Sequence, residues 1–134
     1  MAIRTFLDTG VLISGWRGPA PRQIKALTIL ADNKREFVCS PFVQLELLPK
    51  PQWNKLQAEI NFYEQYFRGV NEWMEDHEQI TNEALRLGAK YGLGPMDALH
   101  IAASYLGNVD EFITAERPTS PLSRVQEFTV WTIY

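Results

Sequence analysis

Apolar and polar positions along the chain follow two rhythms. Ile3 to Leu7 is a short apolar run of strand type, and Phe37 to Cys39 is a second. Between them, Gln23 to Asn33 carries Ile24, Leu27, Leu30 and Ala31 at helical spacing. Ser40-Pro41 predicts a helix start, because serine suits the N-cap and proline loses nothing at the first helical position, where its N–H would be unpaired. That helix is expected to end near Pro49 and Pro51. Trp53 to Phe67 reads as one amphipathic helix with Trp53, Leu56, Ile60, Tyr63 and Phe67 on one face. Val70 to Met74 reads as a strand. Ile80, Ala84, Leu87, Gly88 and Tyr91 mark another helix, broken by Gly92 and Gly94. Pro95 opens a last helix through Leu99, Ala102 and Ala103 to Leu106, stopped by Gly107-Asn108. Glu111 to Thr114 and Glu127 to Ile133 complete the strands.

Strands alternating with helices predict βαβ units and a parallel sheet covered on both faces. The length of 134 residues fits one domain over 1–134, with no internal repeat, low-complexity segment or long linker. A hydrophobic content of 46% is enough to build a core. The single cysteine, Cys39, permits no internal disulfide and reads as a small core residue. The N-terminus lacks a signal-peptide layout, and no apolar run is long enough to cross a membrane, so a cytoplasmic protein is expected. The net charge of -3 argues against a protein that coats duplex nucleic acid. It leaves room for an enzyme that grips a short stretch of RNA through bound metal ions.

In a parallel α/β sheet, ligands gather beyond the carboxyl ends of the strands. Four acids fall near such ends. Asp8 follows Phe6-Leu7, and Glu116 lies just past Phe112-Ile113-Thr114. Glu46 is on the helix leaving the second strand, and Asp97 is in the first turn of the helix opened by Pro95. Glu46 and Asp97 sit in runs that look core-facing, Leu45-Glu46-Leu47-Leu48 and Met96-Asp97-Ala98-Leu99. A carboxylate near a core is normally paired or bound to metal. Oxygen ligands converging in this way suit Mg²⁺ or Mn²⁺ rather than Zn²⁺. His77 and His100 have no partner at zinc-ligand spacing, and His100 reads as a core or hydrogen-bonding residue. Each acid alone also has a plainer reading. Asp8 can be a helix cap, Asp97 a complement to the helix dipole, Glu46 an arginine partner and Glu116 a solvated loop residue.

Four stretches together resemble the PIN domains, and the VapC-like toxins of toxin–antitoxin pairs in particular. Phe6-Leu7-Asp8-Thr9-Gly10-Val11-Leu12-Ile13 is similar to the opening motif of that family, and Ser40-Pro41-Phe42-Val43-Gln44-Leu45-Glu46-Leu47 to the second. Gly94-Pro95-Met96-Asp97-Ala98-Leu99-His100-Ile101-Ala102-Ala103 resembles the third, the most specific of the set. Asp110 to Glu116 resembles the fourth, which usually reads Thr-x-Asp. The resemblance implies a three-layer α/β/α sandwich with a central, mainly parallel sheet, and a Mg²⁺- or Mn²⁺-dependent endoribonuclease. It also implies a homodimer and a cognate antitoxin as partner. Asp8, Glu46, Asp97 and Glu116 would be the catalytic metal ligands, with Thr9 and Thr114 orienting them by hydrogen bonds. Gly10 departs from the usual Asn or Ser, which removes one polar support, and Glu116 departs from the usual Asp, its extra methylene putting the second metal site in doubt.

Among the basic residues, Arg22 and Arg117 are candidates for contact with RNA phosphates, whereas Arg17 and Lys25 read as solvated surface. Part of the wide aromatic stripe between Trp53 and Phe67 is a candidate partner surface. Three rival readings remain. One is an aspartic protease of retroviral type, from Asp8-Thr9-Gly10, which leaves Glu46 and Asp97 unexplained and requires a mostly β chain. The others are a non-catalytic PIN-like module that binds RNA or protein, and a structural α/β domain whose acids are caps and ion pairs.

Overall fold

The computed structural model describes residues 1–134. The chain runs β1 (Ile3–Leu7), α1 (Thr9–Arg17), α2 (Ala20–Leu30), β2 (Arg35–Cys39), α3 (Pro41–Leu47), α4 (Pro49–Trp53), α5 (Gln57–Arg68) and β3 (Glu72–Trp73). It continues through α6 (His77–Tyr91), α7 (Pro95–Leu106), β4 (Glu111–Thr114), a 3₁₀ turn (Pro121–Arg124) and β5 (Thr129–Thr132). All strand pairings are parallel, in the order β3-β2-β1-β4-β5. The architecture is therefore the expected α/β/α sandwich, and the mostly helical content removes the aspartic protease reading.

The strand order reverses at β1. The chain builds outward from β1 to β2 and β3, then returns to lay β4 on the other side of β1. Right-handed crossovers then require α1 to α5 on one face and α6 and α7 on the other. Alternating side chains of β2 agree. Phe37 packs its ring 5.5 Å from Tyr66 on α5, whereas Val38 faces Gly107 at the end of α7. On the α7 face, Phe6 stacks 5.7 Å from Phe112 of the neighbouring strand and 6.0 Å from His100. Phe6, Val11, Leu12, Val38, Tyr63, Ile101, Phe112 and Ile113 form the dry centre of the core.

Local signals account for most boundaries. Ser40 Oγ accepts the N–H of Phe42 and Pro41 opens α3, as the sequence predicts. Gly92 closes α6 at φ 67°, a left-handed conformation that favours glycine. Cys39 is buried, and burial pushes its thiol up to about 12, consistent with a core residue. No helix is long and apolar enough to cross a membrane.

Two stretches depart from the sequence reading. Trp53 to Phe67 is not one helix. Pro49 and Pro51 open a short helix of their own, Lys55 adopts a left-handed φ of 55°, and α5 starts only at Gln57. Trp53 is consequently 85% exposed and Leu56 also faces solvent, while Ile60, Tyr63 and Phe67 are buried as expected. On α2 the buried residues are Ala26 and Ile29, and Ile24 and Leu27 are exposed. A third element, α1, follows the first motif directly and was not delineated by periodicity.

Candidate metal centre

Asp8 lies at the carboxyl end of β1 and Thr114 at that of β4, the two strands flanking the reversal in strand order. Thr114 Oγ1 donates to Asp8 Oδ2 at 2.9 Å. The N–H of Thr9, at the start of α1, donates to Asp8 Oδ1 at 2.9 Å. Thr9 Oγ1 in turn donates to Glu46 Oε1 on α3 at 2.6 Å. His100 on α7 brings Nε2 to the same oxygen at 2.9 Å. Four elements from both faces of the sheet thus converge on two carboxylates. Both threonines hold carboxylates, with the backbone of Thr9 serving Asp8 and its hydroxyl serving Glu46.

Ligand atoms of Asp8, Glu46 and His100 lie within 4.8 Å of one another. Asp97 and Glu116 stand outside that tight group but line the same open cleft of about 690 Å³. Glu46 and Asp97 are shallower than their apolar neighbours predict. Asp8 is the deep acid, at 5% exposure, Asp97 is half-buried, and Glu46 faces the cleft with its side chain one-third exposed. Helix α3 buries Val43 and Leu47, and this turns Leu45 outward and Glu46 toward α7 and the cleft. Glu116 is exposed, its N–H donating to Thr114 Oγ1 at 3.1 Å.

Charges in the cleft work against one another. Burial pushes Asp8 up to about 6, opposed by His100 and the Thr114 hydrogen bond and reinforced by Asp97 and Glu46. Burial likewise raises Asp97, with His100 opposing and Glu116 and Glu46 adding to the rise. Glu46 goes the other way. Its hydrogen bond to His100, aided by Thr9, outweighs burial and holds it below the ordinary carboxylate value. Ionised Glu46 therefore faces two acids that resist ionisation, a balance that a divalent cation with oxygen ligands would relieve.

Arg22, Arg117 and Tyr134 also line the cleft. The guanidinium of Arg22 sits 4.4 Å from the centre of the Tyr134 ring and that of Arg117 sits 5.1 Å from it. Arg17 points elsewhere, toward Glu59 at 3.4 Å, and Lys25 is exposed outside the cleft. Tyr134 escaped the sequence reading because nothing local marks it; β5 delivers it. The His100–Glu46 bond escaped it because the partners are 54 residues apart, although His100 one turn after Asp97 was the available signal.

The PIN domain family profile matches residues 5–118. The chain belongs to the PIN domain family. Its four acids all fall within the matched segment. No curated protein matches the sequence significantly. Among solved structures, this PIN domain is similar to VapBC2 from Rickettsia felis bound to a promoter DNA fragment, with a TM-score of 0.72 and 15% identity, covering 97% of this chain and 98% of that one. It is similar to a toxin–antitoxin complex from Klebsiella pneumoniae, with a TM-score of 0.72 and 20% identity over 97% and 98%. A DNA-bound VapBC from Salmonella typhimurium gives 0.70 and 12% over 98% and 99%. At these identities the likeness establishes a shared fold.

Proposed function

We propose that this PIN domain is a Mg²⁺- or Mn²⁺-dependent endoribonuclease and the toxin of a toxin–antitoxin pair. The observation that carries the reading is the convergence of Asp8, Glu46, Asp97 and Glu116 on one cleft at the reversal in strand order. The donor set fits a hard divalent cation. Four carboxylates line the cleft, and the one nearby imidazole nitrogen that faces them is engaged by Glu46 Oε1. Asp8, Glu46 and Asp97 would hold the cation, with exposed Glu116 as an outer ligand. When bound, it supplies acidification of a water and charge compensation for the phosphate undergoing hydrolysis.

The chain's own residues do the rest. Thr114 and the N–H of Thr9 fix Asp8 from two sides, and Thr9 Oγ1 fixes Glu46. Arg22 and Arg117 place two positive charges beside the acids, where an RNA backbone would otherwise be repelled. The exposed ring of Tyr134 between them offers a surface on which an unpaired base can stack. The fold shared with toxin–antitoxin complexes supports an antitoxin partner, and a homodimer is part of the same proposal.

The reading is tested by incubating a mixed structured RNA pool with the protein in Mg²⁺, in Mn²⁺ and in chelator, beside Asp97→Asn. Cutting that needs the metal and disappears in the variant is the expected outcome. A well-folded protein that cuts nothing in either metal would favour the non-catalytic reading. Glu116, standing where the resemblance leads one to expect aspartate, supports that second reading. Gly10 offers an independent support, since a Cβ there would lie 3.1 Å from that of Ala115 and leave little room for the usual polar side chain.

A further inference from the structure

We infer that His100 is a positioning residue, which immobilises Glu46 through Oε1 so that Oε2 alone is presented to the cation. The inference rests on the reading of the cleft as a cation site. His100 is fully buried on α7, packed against Phe6, and does not line the cleft. Its only polar contact with the cleft is Nε2 to Glu46 Oε1 at 2.9 Å. Thr9 Oγ1 donates to that same oxygen at 2.6 Å. Glu46 Oε1 is thereby occupied from two sides, and Oε2 takes no hydrogen bond from the protein.

The other ring nitrogen carries the argument further. His100 Nδ1 is buried and has no hydrogen-bond partner. A neutral imidazole has one N–H and one lone pair. With the proton on Nδ1, an N–H would be buried unpaired and the Nε2 lone pair would face a carboxylate oxygen. With the proton on Nε2, the ring donates to Glu46 and only a lone pair is left unmatched. Of the two neutral forms the second leaves the smaller mismatch, and in the charged ring Nε2 also carries a proton, so His100 donates to Glu46 in either state. An apolar side chain of similar size would fill the same space without burying an unmatched nitrogen. What the imidazole adds over such a side chain is the hold on Glu46, a side chain on a partly exposed helix that would otherwise sample several rotamers.

The experiment is Mn²⁺ binding to the full chain, followed by the electron paramagnetic resonance signal of free Mn²⁺, for the wild type, His100→Leu, His100→Asn and His100→Gln. Thermal unfolding in chelator checks that each variant folds. Glutamine can place an N–H where Nε2 stands, and asparagine is too short. His100→Leu and His100→Asn are expected to weaken Mn²⁺ binding by about 10- to 100-fold, the usual effect of losing a group that orients a metal ligand. His100→Gln is expected to restore binding close to that of the wild type. Equal binding by all four proteins, or equal loss in the glutamine and asparagine variants, would overturn the role of His100 and leave the cation site standing. A wild type that binds no Mn²⁺ would overturn the cation site, and the positioning role with it. Should the leucine variant fail to fold, the contrast between glutamine and asparagine decides.

Discussion

Thr114 Oγ1 reaches Asp8 Oδ2 at 2.9 Å across the carboxyl ends of β4 and β1, at the point where the strand order reverses. The bond ties the most buried acid of the cleft to the strand that leads into Glu116. Thr114→Val preserves the shape and removes the donor. Hydrogen bonds to charged groups are worth about 1.5–3 kcal/mol, so a loss of that order is expected in the urea unfolding free energy of metal-free protein at pH 7. Asp8 should titrate higher still, because the lost donor favoured its ionised form. A carboxyl carbon titration that leaves Asp8 unmoved would count against the arrangement.

Stability of the metal-free protein should fall as pH rises from about 4 to about 6. Folding raises Asp8 from its ordinary 3.8 to about 6, so the folded state holds that proton more tightly than the unfolded one. The stabilisation is complete below the unfolded value and lost as pH climbs through the folded one, roughly 3 kcal/mol at 1.36 kcal/mol per pKa unit. Glu46 has the opposite sign. It is held low, so its contribution is present above its ordinary 4.5 and lost as pH falls through its lowered value. Asp8→Asn should flatten the limb between pH 4 and 6 and stabilise the protein at pH 7. Denaturation in chelator across that range measures both, and an unchanged limb in the variant would assign it elsewhere.

Tyr134→Ala should raise KM for RNA by about tenfold or more, in keeping with about 1–3 kcal/mol for a stacked base, while kcat changes far less. Arg22 and Arg117 flank the ring, and neither is held by a carboxylate ion pair. Replacing both with methionine should weaken RNA binding and flatten its salt dependence. Steady-state kinetics at two ionic strengths separates these effects. A fall confined to kcat would contradict the role in binding.

Away from the cleft, buried Glu59 on α5 accepts Tyr63 Oη at 2.6 Å and faces Arg17 at 3.4 Å. Tyr63→Phe leaves that carboxylate one donor short and should cost about 1–3 kcal/mol in a chemical melt. Mn²⁺ affinity should not change, which separates structural loss from damage to the proposed cation site.

Short-range chemistry was readable along the chain, and long-range geometry was not. Ser40-Pro41 starts α3 because its cap is local, and Glu111 to Thr114 is β4 with both ends as expected. Asp8 and Glu116 are legible as acids just past the close of an apolar run, and Glu46 and Asp97 as acids in helices that open at Pro41 and Pro95. Trp53 and Leu56 were misplaced because helical spacing carries across a break that is set by Pro49, Pro51 and the backbone at Lys55. On α2, Ile24 and Leu27 form an apolar row as regular as that of Ala26 and Ile29, and nothing local decides which row meets the sheet. The apolar neighbours of Glu46 and Asp97 predict core-facing acids, whereas the most buried acid of the cleft is Asp8, which Thr114 reaches from 106 residues away.

The most direct test of the central claim is the single-turnover rate of RNA cleavage against Mn²⁺ concentration, for the wild type beside Asp97→Asn. The rate should rise with Mn²⁺ to a plateau for the wild type, vanish in chelator, and stay at background for a variant that melts as a folded protein. Cleavage that persists in chelator, or that survives Asp97→Asn unchanged, would contradict the assignment of this cleft as a metal-dependent nuclease site.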